Sequence, residues 1–363
     1  MRHLVLRREG GVKFYAPDPE KYGGIYSAPV FYNPAMEKNR TLSTLLLKAY
    51  GKGGLVVCEP LSGTGVRGIR YAVESGVVGK LILNDISKEA VELIKKNLEI
   101  NGVDAEVYNE DANVLLHKLK DSCDVVDIDP FGSPAPFIHG AFRALKEEGL
   151  ICATATDTAV LVGRYPRKCL RRYGSVIVKT PFYIEVGLRN LLGYIARVAA
   201  AEDYKITPLM SYWEGHYFRV CAYAARGARD ADDNFHHIAY IKYERGVRKI
   251  LHAQSEGSSG PLWVGPLGDP LIINKMSEIG PYQDFLKILA EEYSISAPWF
   301  YRLPEFAAGG KSPTLKEAVG VLRAAGIYAV RTHMAPDGFK ADGEYGEVLM
   351  AFKRYISSAH SLQ

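Results

Sequence analysis

The sequence predicts an α/β protein built on a parallel, doubly wound β-sheet that ends in an antiparallel hairpin, with a smaller α+β domain after it. Five short apolar runs recur between residues 55 and 157, separated by segments of helical spacing. A glycine-rich turn follows the first run, and each of the first four runs ends in an acidic residue. Strands that alternate with helices pair in parallel, so the carboxyl ends of these runs should meet at one edge of the sheet.

The elements of this sheet have recognisable ends. Ser87 is a suitable N-cap for the helix after the second strand, and Gly102 is a suitable stop. Val91, Ile94 and Leu98 recur between them at helical spacing. We predict strands over residues 55–59, 81–85, 105–111, 124–129 and 149–157, a helix over 182–203 and an antiparallel hairpin over 205–225.

The two ends of the chain are less regular. The residues before 25 are predicted to form a β-hairpin or an irregular lid. Asn33 and Pro34 begin a helix in which Arg40 lies near the middle, where the sequence alone favours a solvent-facing side chain. Near the C-terminus we predict helices over about 278–293 and from Ser312 and Pro313 to about Gly326, then a strand over 327–333.

Composition indicates a globular protein of two domains. Of 363 residues, 47% are hydrophobic and 24% are charged, and no apolar run approaches the length of a membrane span. A linker-like segment after Arg226 predicts a division into residues 1–228 and 229–363. The N-terminus lacks the apolar core of a signal peptide, so we expect a cytoplasmic protein, and a monomer is favoured. The net charge of +4 permits an anionic partner.

Cysteine usage suggests no special chemistry. The five cysteines are scattered and contain no CxxC pair: Cys58, Cys123, Cys152, Cys169 and Cys221. Most lie in apolar segments, so we expect reduced, buried thiols. The usual spacing of a structural zinc site is absent, and no metal is expected.

A glycine-rich turn after the first strand predicts a nucleotide-like cofactor. Gly63, Gly65 and Gly68 spell GxGxxG between a strand and a helix, and glycines let the backbone approach a ligand closely. Asp85, about 20 residues further on, can hold ribose hydroxyls. This fingerprint fits a dinucleotide, and it fits equally the methyl donor S-adenosylmethionine.

Acidic residues at the other strand ends favour the methyl donor. Glu59 precedes the glycines, where it would repel a pyrophosphate but attract an amino or sulfonium group. Asp111, followed by Ala112, can accept a hydrogen bond from an adenine amino group. Single aspartates after strands are commonly capping or turn residues. Acids at four successive strand ends instead indicate one shared site.

The fourth strand ends in Asp129, Pro130, Phe131 and Gly132, which suit the binding of a planar amine. The carboxylate and the free carbonyl oxygens accept hydrogen bonds, the aromatic ring offers a stacking face, and glycine allows close approach. The same residue types also occur in ordinary surface turns.

The chain resembles a known family, the tRNA guanine N2-dimethyltransferases that act on guanosine 26. The resemblance rests on the runs FYNPAMEKNR, SGTGVRGIRYAVE, NDIS, NEDAN, DIDPFGSP, GPLWVGPLGDP and RTHMAPDGFKAD. It implies a Rossmann-like class I methyltransferase sheet, S-adenosylmethionine as cofactor, tRNA as partner and a C-terminal tRNA-binding domain. It departs at residues 252–263, where many relatives carry four cysteines of a zinc site and this chain has none. That loop is therefore expected to be held by packing alone.

The resemblance also implies roles for individual residues. The acid matching Asp129 is expected to be catalytic, and the residues matching Arg40, Arg67, Asp85, Asp111 and Ala112 are expected to contact the methyl donor, with Phe31 in the same N-terminal motif. From the residues themselves we add Glu59, Gly63, Gly65 and Ile86 at the cofactor, Pro130 as a second acceptor and Phe131 as a ring that stacks on the base. The expected reaction is mono- or dimethylation of the exocyclic N2 of guanosine 26.

A basic segment is the strongest candidate for RNA contacts. It contains no acidic residue and carries Arg164, Arg167, Lys168, Arg171 and Arg172. Flanking Tyr165 and Tyr173 could stack on nucleotides. The ordinary alternative is a solvated helix face. Further candidates for this role are Lys179, Arg189, Arg197, Arg331, His333 and Lys340.

Three other functions stay open from the sequence. A methyltransferase acting on another amino or amide nitrogen would share the motif after the fourth strand. A non-catalytic tRNA-binding protein could retain the cofactor fold. A dehydrogenase would use the glycine fingerprint but has no evident need for Asp129.

Overall fold

A computed structural model describes residues 3–306 and 313–360. The strands are β1 Leu4–Glu9, β2 Val12–Pro17, β3 Leu55–Glu59, β4 Val78–Asn84, β5 Glu106–Tyr108, β6 Cys123–Ile128, β7 Leu145–Ala155, β8 Tyr204–Glu214, β9 Tyr217–Arg226, β10 Ile238–Glu244, β11 Val247–Leu251, β12 Ser258–Trp263, β13 Tyr301–Arg302, β14 Ala329–Arg331 and β15 Gly338–Ala341.

Helices connect most of these strands. They are α1 Pro19–Tyr22, α2 Glu37–Tyr50, α3 Val66–Glu74, α4 Lys88–Asn101, α5 Ala112–Lys118, α6 Ala135–Ala144, α7 Thr158–Leu161, α8 Pro166–Tyr173, α9 Tyr183–Ala201, α10 Ala228–Ala231, α11 Asp233–His236, α12 Pro270–Ile279, α13 Gln283–Tyr293, α14 Leu315–Ala324 and α15 Tyr345–His360. Short 3-10 turns cover Pro34–Met36 and Leu303–Phe306.

The central sheet has seven strands in the order β5-β4-β3-β6-β7-β9-β8. The first five are parallel, β9 pairs antiparallel with β7, and β8 pairs antiparallel with β9 at the edge of the sheet. The strands at the middle of the sheet are buried on both faces because helices cover both sides, as in β6, where all six residues are buried. The predicted α/β sheet with an antiparallel hairpin is confirmed. The carboxyl ends of β3, β4 and β6 meet at one edge.

The N-terminal hairpin and α2 pack beside this edge. β1 and β2 pair antiparallel from Leu4 opposite Pro17 to Glu9 opposite Val12, so the hairpin alternative is confirmed. The side chain of Asn33 accepts a hydrogen bond from the amide of Ala35 and begins the turn that leads into α2. Together they place α2 next to α3.

The C-terminal part forms two small antiparallel sheets with helices, as the prediction of an α+β region requires. Their strand orders are β11-β10-β12 and β13-β15-β14. A separate apolar core includes Phe306, Leu322, Phe339 and Phe352. The predicted boundary after residue 228 stays a prediction, and the linker-like segment there contains α10 and α11.

Two predicted elements of this part need correction. The helix expected over about 278–293 is confirmed as α13, but its predicted start is wrong: α12 ends before Gly280 and Pro281, α13 begins after them, and proline supplies no amide for a continuous helix. The cap of α14 is Thr314, whose hydroxyl accepts from the amide of Glu317. Ser312, the predicted cap, lies outside the described residues.

Two cysteines are not free thiols. Cys152 on β7 and Cys221 on β9 form a disulfide, with Cα atoms 4.1 Å apart. They stand directly opposite each other on neighbouring antiparallel strands. A separation of 69 residues gives no sign of this pairing, so the expectation of reduced thiols is wrong for this pair. Cys58, Cys123 and Cys169 are free and buried.

The loop over residues 252–263 is held by more than packing. The hydroxyl of Ser258 donates to the Ser255 carbonyl (2.6 Å) and accepts from the Ser255 amide (3.0 Å). The expectation of packing alone is therefore wrong.

Among the helices of residues 3–306 and 313–360, none is long and apolar enough to cross a membrane.

Candidate active site

A cavity of about 670 Å³ opens where β3, β4 and β6 end. It is closed on its other side by residues 25–40, which precede and begin α2. The predicted site residues that line it are Phe31, Arg40, Glu59, Gly63, Arg67, Asp85, Ile86, Asp129, Pro130 and Phe131. Gly65, Asp111 and Ala112 do not line it. The structure thus brings ten predicted residues together from four separate segments.

The glycine turn forms the floor of the cavity. Gly63 has φ +54, and a Cβ there would lie 3.1 Å from the carbonyl oxygen of Phe31. Gly65 has φ +75 and begins α3. The carboxylate of Asp85 accepts from the amides of Gly63 (2.9 Å) and Ser87 (3.0 Å). A carboxylate has about four lone-pair positions, so Asp85 keeps capacity to bind ligand hydroxyls.

Arg67 on α3 lies at the centre of the polar groups. Its guanidinium donates to the carboxylate of Asp129 and to Oδ1 of Asn39 (2.8 Å). Its Nε lies 3.3 Å from Oε1 of Glu59. The side chain is 2% exposed, so these charges interact away from water. Arg67 therefore fixes the orientation of the predicted catalytic acid.

Glu59 is a buried acid within this group. Its Oε2 accepts from the amide of Gly68 at 3.1 Å. Burial raises the pKa of Glu59 to about 8; Arg67 opposes the rise, and the negative charges of Asp127 and Asp129 add to it. At neutral pH this side chain is mostly protonated.

A second pair lies beneath Arg67, and sequence reasoning missed it. Arg219 on β9 donates to both carboxylate oxygens of Asp127, each at 2.7 Å, and Tyr71 donates to Oδ2 at 2.5 Å. Burial raises the pKa of Asp127, but the positive charges of Arg219 and Arg67 lower it further, to below its usual range. Asp127 and Arg219 are each a charged residue inside a mostly apolar strand. This pattern could have indicated a buried ion pair from the sequence.

Arg40 is buried, so the solvent-facing position favoured by the sequence alone is wrong. Its guanidinium forms two hydrogen bonds with Glu9 of the hairpin, at 2.6 and 2.5 Å. Arg70 donates to the same carboxylate at 2.8 Å. Burial raises the pKa of Glu9, and the bonds from Arg40 and Arg70 lower it to a net value below the usual range. The ion pair makes burial of Arg40 at the cavity wall possible.

Asp111 is the N-cap of α5. Its Oδ1 accepts from the amides of Asn113 (2.9 Å) and Val114 (3.2 Å). This is the capping role that a single aspartate after a strand commonly has. Contact of Asp111 and Ala112 with a cofactor stays a prediction.

Aromatic rings stand at the mouth of the cavity. Phe131 is 69% exposed, and its ring centroid lies 4.4 Å from that of Phe31 in an edge arrangement. Tyr26, also exposed, lies 5.8 Å from Phe31. Exposed aromatic faces are costly in water and suit stacking with a planar ligand.

The basic segment forms α8 and the turn before it. Its exposed basic and aromatic residues are Arg164, Tyr165, Arg167, Lys168 and Arg171. Arg172 is partly exposed and pairs with Asp157.

Other predicted RNA contacts are buried, so these predictions are wrong. Tyr173 has no exposed surface and cannot stack on a nucleotide. Arg189 and Lys340 both pair with Glu185, at 2.8 and 2.6 Å. The His333 side chain is also buried and is bonded to Glu292 and to the Trp213 amide. Arg197 is partly exposed and donates to the carbonyls of Gly193 and Tyr173, so its contact with RNA stays a prediction.

The described residues contain no cluster of three or more histidine, cysteine or acidic side chains that could hold a metal ion.

The sheet order, with its antiparallel hairpin and its glycine turn under strand-end acids, defines a class I methyltransferase. Residues 10–353 match the family N2,N2-dimethylguanosine tRNA methyltransferase, and the chain belongs to this family.

Similar proteins carry matching names. The tRNA (guanine(26)-N(2))-dimethyltransferase of Pyrobaculum arsenaticum is 73% identical over 96% of this chain and 98% of that protein. The protein of the same name from Methanothermobacter thermautotrophicus is 37% identical over 95% and 97%. The solved structure of Trm1 from Pyrococcus horikoshii with S-adenosyl-L-methionine has a TM-score of 0.88 at 32% identity, covering 96% of this chain and 99% of that chain.

Proposed function

We propose that this protein transfers methyl groups from S-adenosylmethionine to the exocyclic N2 of guanosine 26 in tRNA, giving mono- and dimethylated products. One observation carries the proposal: the turn at Gly63, the acid Asp85 and the acid Asp129 line a single cavity. The family and the names of the similar proteins support the same reaction.

The residues present fit the cofactor. Gly63 lines the cavity without a side chain, and a Cβ there would crowd the carbonyl of Phe31. Asp85 accepts from ribose hydroxyls, and Glu59 and Arg67 lie where the amino acid portion is expected. S-adenosylmethionine supplies an electrophilic methyl group when bound.

Asp129 and Pro130 activate the acceptor nitrogen. The lone pair of guanine N2 is delocalised into the ring, which makes the amine a poor nucleophile. The Asp129 carboxylate and the Pro130 carbonyl accept its hydrogen bonds, localise the lone pair and orient it. The carboxylate also stabilises positive charge that develops on the nitrogen and accepts the proton that the nitrogen loses. The N–C bond forms as the C–S bond of the donor breaks, and the sulfur keeps the electron pair. The singly methylated base keeps one N–H, so the same acceptors can orient it for a second transfer.

The base reaches the cavity by leaving the tRNA stack, at a cost of a few kcal/mol. Phe131 stacks on the extruded base and offsets part of this cost. The basic residues of α8 hold the backbone through its phosphates. We infer a cytoplasmic enzyme because its substrate is tRNA; a monomer stays a prediction.

The test is direct. Unmodified tRNA transcript is incubated with the protein and S-adenosylmethionine labelled in the methyl group, then digested to nucleosides. We expect label in N2-methyl- and N2,N2-dimethylguanosine from position 26, and none from a transcript carrying adenosine there. Label in another nucleoside would point to a different nitrogen, and tRNA binding without label would point to a non-catalytic protein.

A further inference from the structure

A series of buried and partly buried hydrogen bonds lies behind the reactive loop, which we define as residues 129–132. The amide of Gly132 donates to Oγ1 of Thr156 at 2.8 Å. The carbonyl of Gly132 accepts from the amides of Thr156 (2.8 Å) and Asp157 (3.3 Å). The loop is thus fastened to the residues that follow β7.

The series of hydrogen bonds continues through side chains. Tyr173 donates to Oδ1 of Asp157 at 2.7 Å, and its oxygen lies 2.6 Å from Oγ of Ser133. A phenol has one hydrogen, and the carboxylate can only accept, so Ser133 is the donor to Tyr173. Arg172 completes the chain with a bond of 3.1 Å to Oδ2 of Asp157. The order is Ser133 to Tyr173 to Asp157, with Arg172 on the far side.

Burial within the reactive loop is uneven, since Pro130 is buried and Phe131 is exposed. Phe131 is 69% exposed, and the side chain of Asp129 is 22% exposed. Tyr173 in contrast is fully buried, and burial together with the charge of Asp157 raises its pKa, which keeps the phenol protonated as a donor.

We propose that Asp157 and Tyr173 are positioning residues that hold the reactive loop in place and attach it to α8. This inference rests on the proposed function. Tyr173 is the last residue of α8, the helix with the exposed side chains of Arg167, Lys168 and Arg171. The separation between the phosphate-binding surface and Asp129 is then fixed, and a tRNA held on α8 presents its base at the correct distance from the acid.

Tyr173→Phe in the full-length protein tests the proposal, because it removes one hydroxyl and leaves the packing ring. We expect kcat for methyl transfer to fall about 10- to 100-fold, since small misplacement of reacting groups has effects of this size. The KM for tRNA and the Kd for S-adenosylmethionine should stay within about twofold, because the substitution alters neither the exposed basic side chains of α8 nor the glycine turn.

Tyr204→Phe is the matched control. Tyr204 is equally buried, and its hydroxyl lies 2.8 and 2.9 Å from the carbonyls of Leu145 and Lys146 at the opposite end of β7. This variant should lose stability to denaturant much as Tyr173→Phe does, with kcat unchanged. Equal kcat values for Tyr173→Phe and wild type, or equal losses of kcat in both variants, would overturn the proposal.

A double-mutant cycle with Ser133→Ala separates positioning from a general loss of stability. Because both residues act in one chain, Tyr173→Phe should reduce kcat less in the Ser133→Ala background than in wild type. Independent, multiplicative effects would overturn the proposal. If Tyr173→Phe does not fold, Asp157→Asn takes its place in the cycle with the same expected outcome. Wild-type protein without methyl transfer to tRNA would instead contradict the proposed function itself.

Discussion

The guanidinium of Arg67 is hydrogen bonded to the carboxylate of Asp129 at the base of the cavity. Arg67 is buried and reaches Glu59 and Asn39 at the same time, so its position is set by several partners. Asp129 is partly exposed toward the cavity and keeps acceptor capacity for a ligand. Asp129 is therefore held by Arg67 on one side and accessible from the cavity on the other. A hydrogen-bond acceptor for a bound amine requires both.

Replacing Asp129 should stop methyl transfer without removing the cofactor. We expect Asp129→Asn to lower kcat by about 100- to 1,000-fold, because an amide neither localises the lone pair of N2 nor stabilises its developing charge as a carboxylate does. Cofactor affinity, measured by calorimetry, should change only a few-fold. Asp104→Asn, at an exposed acid before β5, is the control. Activity of Asp129→Asn near that of wild type would contradict this role.

Glu59 predicts a pH dependence of stability. Its pKa is about 8 in the folded protein and near 4.5 ordinarily. Between pH 4.5 and 8 the folded protein therefore holds a proton on Glu59 that the unfolded protein has lost. Its stabilising contribution is complete below pH 4.5 and is lost as pH rises through 8.

We therefore expect the free energy of unfolding of wild type to fall with pH relative to Glu59→Gln, by at most about 1.4 kcal/mol per pH unit. Denaturant unfolding of both proteins between pH 5 and 8 measures the difference. A difference that stays constant across this range would show that Glu59 does not titrate there.

The basic surface of α8 predicts salt-dependent tRNA binding. Each of the substitutions Arg167→Ala, Lys168→Ala and Arg171→Ala should weaken binding and reduce the slope of log affinity against log salt by about 1, because one counterion-releasing contact is lost. Lys95→Ala, at an exposed lysine of α4, should leave the slope unchanged. Filter binding over a salt series measures the affinity and the slope for each variant. Identical slopes for all variants would place the tRNA on another surface.

The disulfide between β7 and β9 predicts a redox-dependent stability. Its two cysteines are 69 residues apart, and opening the bond restores conformational freedom to the unfolded chain. The double substitution Cys152→Ala and Cys221→Ala should lower the free energy of unfolding by about 2–4 kcal/mol. Reductant should shift the unfolding midpoint of wild type and leave that of the double variant in place. A wild-type midpoint that does not respond to reductant would argue against the bond.

Local pattern predicted much of the sheet and the floor of the cavity. β3 lies where the apolar run predicted it, and α4 begins after Ser87 and ends before Gly102 as the cap signals indicated. Gly63, Asp85 and Asp129 were identified because parallel strands bring their carboxyl ends to one edge, so residues that end successive apolar runs become neighbours.

Side-chain partners were beyond the reach of local pattern. Arg40 was expected in solvent because its counter-charge, Glu9, comes from a separate hairpin. Tyr173 was expected at the surface because the partners that bury it, Ser133 and Asp157, belong to other elements.

The sequence by itself determined the parallel sheet, the glycine turn and the acids at the strand ends, because backbone propensity and apolar spacing act over a few residues. Only the tertiary structure decided that Arg67 anchors Asp129, that Arg219 neutralises Asp127 and that Cys152 meets Cys221. The two members of each pair lie between 62 and 92 residues apart along the chain. Their contact depends on strand order and register, which no single segment encodes.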